Sequence, residues 1–191
     1  MQKCSMTAIA LLSLALASSA RAQAVPGTVN FRFSEQVSNA PAGTCGCFAL
    51  EGAAVDAAWG HVGAGASFSL AADAGVEHTN SVGDAPYGLT LTTIMAGPRL
   101  WLPGRKVHIF GQALFGFVHG SNSEFPQNNT LVPSANSFAL DLGGGADYAI
   151  GSRFSVRVLQ VDYLRTSLPN VSSNWQNNLR IGTGITLHFA R

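Results

Sequence analysis

The sequence predicts an all-β fold, an eight-stranded antiparallel up-and-down transmembrane β-barrel with short periplasmic turns and longer extracellular loops. Charged residues make up only 11% of the 191 residues, well below the roughly 25% of a soluble domain. After the N-terminal segment no apolar stretch reaches 18 residues, so no transmembrane helix is expected. The remaining chain reads as eight strand-like segments. A closed barrel is the other structure that satisfies every backbone group inside a membrane.

Residues 1–22 have the layout of a cleavable secretory signal. A lysine supplies the positive start, the apolar stretch Ala8–Ala17 follows, and small residues fit cleavage after Ala22 or, alternatively, after Ala24. The apolar stretch is too short to span a bilayer as an anchor. We therefore expect residues 23–191 to form a single barrel domain that is exported and inserted into a bacterial outer membrane.

The charge balance of this barrel domain argues against nucleic acid as a partner. Loss of Lys3 and Arg21 leaves nine basic and ten acidic residues, a formal net charge of −1. No run of Lys and Arg remains to neutralise a phosphate backbone.

Eight segments of 10 to 14 residues have strand character, the length that a tilted transmembrane strand needs. They are Thr28–Val37, Phe48–Trp59, Gly65–His78, Leu89–Leu102, Val107–Gly120, Ser137–Ile150, Phe154–Ser167 and Asn178–Phe189. Short connections follow the even segments, and longer polar connections follow the odd ones, the longest being Ser121–Asn136. This alternation is typical of outer-membrane barrels with their long loops outside.

Side chains alternate along these segments between an apolar face and a face of polar and small residues. We expect the apolar face to contact lipid and the polar face to line a narrow, crowded lumen. The predicted lumen charge network comprises Arg32, Glu51, Asp56, Asp73, Glu77, Arg99, Asp141, Asp147, Arg157, Asp162 and Arg180. Strict alternation fails in the second, fourth and seventh segments, so a β-bulge is inferred in each. A soluble β-sandwich or lipocalin-like barrel is disfavoured, because an inner face of Gly, Ala, Ser, Asp and Arg cannot form a hydrophobic core.

Aromatic residues give an independent indication of the membrane surfaces. Trp59, Trp101, Tyr148 and Phe189 fall at the ends of the even segments, which lie at one surface in this topology. We interpret them as interface aromatics of a girdle at headgroup level.

These features resemble the small OmpA-type outer-membrane barrels over the whole of residues 23–191. Leu179–Phe189 resembles the C-terminal signal that the barrel-assembly machinery reads, although two residues follow the final aromatic. Three further stretches, Ala96–Arg99, Phe110–Gly116 and Gln160–Tyr163, resemble uncharacterised outer-membrane barrels of acidobacterial type. The resemblance implies barrel-assembly machinery, outer-membrane lipid and lipopolysaccharide as partners.

The sequence offers little that points to catalysis or to a cofactor. His119, Ser121 and Glu124 are similar to the His-x-Ser pair and acidic residue of lipid A deacylases, and a base two residues from a serine on a strand shares its face. The pair stands on the fifth segment, not late in the chain, and Glu124 follows too closely. A polar cluster that opens a loop is therefore the preferred interpretation.

Cys45 and Cys47 could form a local disulfide, although so short a loop is strained, or an intermolecular one. No histidine or cysteine pair has metal-ligand spacing, so neither a metal nor a cofactor is expected.

The preferred function is that of a non-enzymatic integral outer-membrane protein with a structural, envelope-integrity or surface-contact role and a lumen plugged by polar and charged side chains. A lipid-modifying enzyme of the lipid A deacylase kind and a small pore are the alternatives. No surface ligand is identified.

Overall fold

The computed structural model describes residues 27–39, 47–62, 66–102, 104–127, 129–170 and 174–189. The expected signal segment and Cys45 lie outside these residues, and so does any disulfide that Cys45 would form. None of the described residues forms a helix long and apolar enough to cross a membrane.

The described residues form a closed antiparallel barrel of eight strands in chain order, which confirms the predicted fold class. Each strand pairs with its neighbours in sequence, and the last strand pairs with the first. The strands are β1 (Gly27–Asn39), β2 (Cys47–Val62), β3 (Ser67–Thr79), β4 (Leu89–Leu102), β5 (Val107–Gln127), β6 (Thr130–Ala149), β7 (Phe154–Thr166) and β8 (Gln176–Phe189).

The connections define two ends of the barrel, and those after β1, β3 and β7 are longer than those after β2, β4 and β6. The turn end carries the short connections after β2, β4 and β6, and the loop end carries those after β1, β3, β5 and β7. The prediction that Ser121–Asn136 forms a long loop is wrong, because β5 and β6 continue through most of this segment as a protruding hairpin. Their pairing shifts between Ser121 and Phe125, and Asn122 adopts a left-handed φ of 58° in this stretch.

Strand alternation places apolar side chains on the outside and polar ones inside. On β1 the side chains of Phe31 and Phe33 are 54% and 76% exposed, whereas Arg32, Ser34 and Gln36 are buried. Every strand contributes such exposed apolar residues. One from each strand in turn is Phe31, Val55, Leu70, Ile94, Phe115, Leu142, Val161 and Ile185. This arrangement is the inverse of a soluble protein and is typical of a barrel that faces lipid.

Of the three inferred bulges, the structure contains the one in β7. There the pairing shifts between Arg157 and Gln160, and both intervening side chains, Val158 and Leu159, point outward. No shift interrupts β4, whose alternation runs unbroken from Leu89 to Arg99. In β2 the irregularity lies near the turn end, between Trp59 and Val62, and not in the middle of the strand.

The interior is not uniformly polar, because apolar residues lie beside the charged ones and extend to the loop end. Leu89 and Leu91, at the loop end of β4, point inward because the strand has no bulge. They join a buried apolar cluster that occupies the interior toward the loop end. Its larger members include Leu50, Met95, Leu114, Val118, Phe125, Leu164 and Leu168. The expectation that no hydrophobic core exists inside the barrel is therefore wrong for this apolar layer.

The aromatic residues at the turn end divide between the two faces. Trp59, Tyr148 and Phe189 are 42% to 52% exposed on the outer surface. Trp101 differs from the prediction, because it shares the inward parity of Arg99. Its indole nitrogen donates to Ser69 Oγ at 3.1 Å, and its ring centroid lies 5.0 Å from that of Phe110.

Glycines on the inner face make room for long charged side chains. A Cβ atom at Gly182 would lie 2.6 Å from Cδ of Arg32, which is closer than real Cβ contacts allow. At Gly143 a Cβ would collide with the carboxylate of Asp162. Close packing therefore explains glycine at these two positions.

We expect Gly182→Ala to lower the free energy of unfolding by about 1–3 kcal/mol, the usual cost of overpacking, because Arg32 must move away from its partners. Urea titration of protein refolded in detergent measures this change. Gly151→Ala is the matched control, since a Cβ at Gly151 would meet no atom within 4 Å. Equal stability of the two variants would contradict the packing argument.

Candidate functional site

Ten of the eleven charged residues predicted for the lumen lie on the inner face, each at most 2% exposed. Among the described residues these are four arginines and six carboxylates, a formal charge of −2. Every strand except β5 contributes at least one of them. This is the densest set of ionisable side chains in the described part of the chain, and we treat it as the candidate functional site.

Glu51 is the exception, and its prediction is corrected. Its side chain is exposed on the outer face, because β2 alternates without a bulge through this stretch and Asp56 has the opposite parity. Glu51 faces Glu35 across the β1–β2 pair and His78 across the β2–β3 pair. All three side chains are exposed toward the loop end of the outer surface.

The Asp56 carboxylate on β2 accepts hydrogen bonds from arginines on two distant strands. Its Oδ1 atom lies 2.6 Å from Nη1 of Arg99 on β4, and its Oδ2 atom lies 2.7 Å from Nη1 of Arg157 on β7. Nη1 of Arg32 is 3.8 Å away, beyond hydrogen-bond distance. Asp56 thus links strands that share no backbone pairing.

Arg157 also forms a bidentate pair with Asp147 on β6. Its Nε donates to Oδ1 at 2.8 Å and its Nη2 to Oδ2 at 3.2 Å. Asp147 Oδ2 also accepts the hydroxyl of Thr186 on β8 at 3.1 Å. The two parallel hydrogen bonds fix the guanidinium plane, which is the geometry that favours arginine over lysine.

Arg180 on β8 is surrounded by four carboxylates. Nη2 lies 2.7 Å from Asp141 Oδ2 and Nη1 lies 3.3 Å from Glu77 Oε1. Two longer ion pairs join it to Asp73 at 3.7 Å and to Asp162 at 3.5 Å. Asp73 is held by a closer arginine, because its Oδ2 accepts Nη2 of Arg32 at 3.0 Å.

Two glutamines that the sequence analysis did not single out connect these clusters. Gln112 Oε1 accepts Nε and Nη2 of Arg99, and its amide nitrogen donates to Asp141 and Asp162 at 3.4 and 3.3 Å. Gln160 accepts Nη1 of Arg157 at 2.8 Å and donates to Asp162 at 2.7 Å. Gln112 has the parity of the inward residues on β5, so parity alone would have found it. Gln160 shares the parity of Asp162 and faces inward together with Arg157 only because of the bulge in β7.

Phe110 was also missed, and its ring contacts two arginines of the network. The guanidinium carbons of Arg99 and Arg157 are 4.6 and 4.4 Å from its ring centroid. The ring is buried, and a cation above an aromatic face is stabilised by the ring quadrupole. Phe110 therefore contacts both of the guanidinium groups that pair with Asp56.

A few buried polar atoms of the network have no hydrogen-bond partner among the described residues. They include Arg32 Nε, Asp73 Oδ1 and Glu77 Oε2. Each of these groups still makes an ion pair or hydrogen bond through another of its atoms. The network is thus mostly satisfied, as buried charges require.

The arrangement favours structural pairing of charges over catalysis or metal binding. Every lumen arginine has a carboxylate within 3.0 Å. In the part of the chain that the structure describes, no group of three or more His, Cys, Asp and Glu is arranged to hold a metal ion.

The three residues of the deacylase-like hypothesis do not form a triad. His119 is exposed on the outer face of β5, and its Nδ1 lies 2.7 Å from Asn136 Oδ1 on β6. Across the described residues, no hydrogen bond joins His119, Ser121 and Glu124. A serine hydroxyl without a base in contact is not activated as a nucleophile.

Solved structures with the same fold include two bacterial proteins. Neisserial surface protein A (NspA) superimposes with a TM-score of 0.63 at 14% identity, covering 85% of this chain and 97% of that chain. Ail, the attachment invasion locus protein of Yersinia pestis, in complex with the heparin analogue sucrose octasulfate, gives a TM-score of 0.57 at 11% identity, covering 86% and 99%. The resemblance to small OmpA-type barrels is thereby confirmed at the level of the fold.

Comparison of the sequence with protein-family models finds no match. No curated protein matches it either.

We expect Asp56→Asn to lower the free energy of unfolding by about 3–5 kcal/mol, because two buried guanidinium groups lose their shared counter-charge. Glu51→Gln is the matched control and should change it by less than about 0.5 kcal/mol, since that carboxylate is exposed. Urea unfolding of both refolded variants in the same detergent provides the comparison. An Asp56→Asn barrel as stable as the Glu51→Gln barrel would contradict the role given to the network.

Proposed function

We propose that this chain is a non-enzymatic integral protein of the bacterial outer membrane, with a closed lumen and a role in envelope integrity or surface contact. The observation that carries the proposal is the inverted distribution of side chains. Apolar residues such as Phe33, Ile94 and Phe117 are 67% to 76% exposed around the barrel, while ten charged residues are buried inside it. Such a surface is stable in lipid and prone to aggregation in water.

The proposed orientation puts the loop end outside the cell and the turn end in the periplasm. An even number of strands leaves both ends of the barrel sequence on one side, and short turns are typical of the periplasmic side. The outward aromatics Trp59, Tyr148 and Phe189 would then lie at the periplasmic membrane surface.

The closed lumen is supported by the two interior layers. Toward the turn end, Asp56, Arg99, Arg157 and Phe110 fill the cross-section, and toward the loop end the apolar cluster does so. The interior of an eight-stranded barrel is only wide enough for its own side chains. We infer that these side chains act as a plug and hold the barrel in one register.

The proposed partners follow from the outer surface. On β8, Leu179, Ile181, Ile185 and Phe189 alternate outward and are 44% to 56% exposed. This row is available to the barrel-assembly machinery, and other outward residues would contact lipid and lipopolysaccharide.

The charges at the loop end do not favour binding of a sulfated polyanion such as the heparin analogue in the Ail complex. Among the described residues toward the loop end, Arg165 is the basic side chain on the outer surface, and it stacks on Trp175 at 3.3 Å. Asp84 and Glu124 are exposed acidic residues at the same end. A surface with this charge repels polyanions.

We expect the expressed protein to fractionate with outer membranes, to resist carbonate extraction and to change its gel mobility on heating. Refolded protein in planar bilayers should show no steady conductance, because the paired charges and apolar layer leave no aqueous path. A soluble periplasmic protein would refute the location. A stable and reproducible open level would refute the plug and favour the small pore.

We expect His119→Ala and Ser121→Ala to leave the lipid A of an expressing host identical to that made with the unchanged protein. The reason is that the His119 ring contacts Asn136 and not Ser121. Mass spectrometry of extracted lipid A makes the comparison, with a host lacking the protein as the baseline. Acyl-chain loss that requires both side chains would establish the deacylase alternative.

A further inference from the structure

A half-enclosed cavity of about 110 Å³ lies at the loop end of the barrel, above the apolar layer. Its wall combines Val82 and Tyr87 from the β3–β4 loop, Leu89 at the start of β4, Phe125 on β5 and Leu168 after β7. These side chains are apolar or aromatic, and most of them are buried. The cavity therefore presents an apolar floor to a molecule that enters from the loop end.

The cavity wall is held in place by hydrogen bonds within the loops. Val82 N donates to Tyr87 O at 3.1 Å and closes the β3–β4 loop. The Gln176 side chain binds both backbone groups of Leu168, accepting from its nitrogen and donating to its oxygen at 2.9 Å each. A wall that is already ordered loses little entropy when a ligand binds, which favours affinity.

The polar side of the cavity carries a negative charge. Glu124 lines it, and no described ion pair involves this carboxylate. Among the described residues that line the cavity, none is a lysine or an arginine. The nearby residues Tyr87, Ser123 and Glu124 also line an open depression of about 390 Å³, so a ligand has room to extend beyond the cavity.

We propose that this cavity binds small organic cations that combine an apolar body of about benzene size with one ammonium group. The apolar body would fill the cavity and the ammonium group would lie beside Glu124. The size is suitable, since an apolar cavity of roughly 150 Å³ holds benzene and this one is open on one side. An anionic ligand of the same shape would be repelled.

The test uses the full chain refolded in micelles of an uncharged detergent, titrated with benzylamine, benzyl alcohol and benzoate at pH 7. Amide chemical shifts measured by NMR report where and how tightly each compound binds. We expect saturable shifts at Tyr87, Phe125 and Leu168, with benzylamine binding about threefold to fivefold more tightly than benzyl alcohol, as expected for one exposed ion pair. Benzoate should bind most weakly.

Glu124→Gln should reduce the affinity for benzylamine to that for benzyl alcohol. Asp84→Asn is the matched control, because Asp84 is an exposed loop-end carboxylate that does not line the cavity. Leu168→Trp should fill the cavity and remove binding of all three compounds, and the Glu124 comparison decides the outcome if that variant does not fold. Absence of saturable shifts at the cavity, equal binding of benzylamine and benzyl alcohol, or equal effects of Glu124→Gln and Asp84→Asn would overturn the proposal.

Discussion

The pairing of buried arginines with carboxylates from distant strands is the constraint on which the rest of the barrel depends. Backbone hydrogen bonds join only adjacent strands, and they tolerate a slip in register. A slip of one residue would move every lumen charge on that strand to the lipid face. Asp56 on β2 contacts Arg99 on β4 and Arg157 on β7. A slip in the register of any of these three strands would therefore leave a buried charge without its partner. The cost of an unpaired buried ion, several kcal/mol, selects one register for the whole barrel.

The division of the interior into a charged layer and an apolar layer follows from how each end of the barrel is closed. The turn end has only short connections, so strand side chains must fill the lumen there, and glycines such as Gly182 leave the space that arginine needs. At the loop end, Phe125 lies in the protruding part of β5 and Leu168 follows the end of β7. Both belong to the same buried apolar cluster as Leu89. Apolar side chains suit this position because irregular segments can cover them.

Much of this structure was predictable because alternation in a barrel strand has a period of two and the lumen tolerates charge only in pairs. Ten lumen charges and the bulge in β7 follow from that rule. Glu51 and Trp101 were misplaced because charge and aromaticity were given precedence over parity. Glu51 stands on the outer face opposite Glu35 and His78, where polar side chains replace apolar ones toward the loop end. Gln112 and Phe110 had the parity of lumen residues. Their contacts were not predictable, because which side chains of non-adjacent strands meet inside the lumen depends on how the barrel closes.

The loop-end cavity and the apolar layer share residues, and this couples ligand binding to the stability of the barrel. Leu89, Phe125 and Leu168 belong both to the buried cluster and to the cavity wall. A molecule that fills the cavity adds apolar contacts to the same side chains that close the lumen beneath it. A ligand that binds only the folded state must raise the free energy of unfolding. Above the dissociation constant, this increase is proportional to the logarithm of the ratio of ligand concentration to dissociation constant. Met95 and Leu114 belong to the same apolar cluster but do not line the cavity, and their strand partners Asp73 and Asp141 belong to the charge network. The cavity wall, the apolar cluster and the charge network are therefore in contact through neighbouring positions on the same strands.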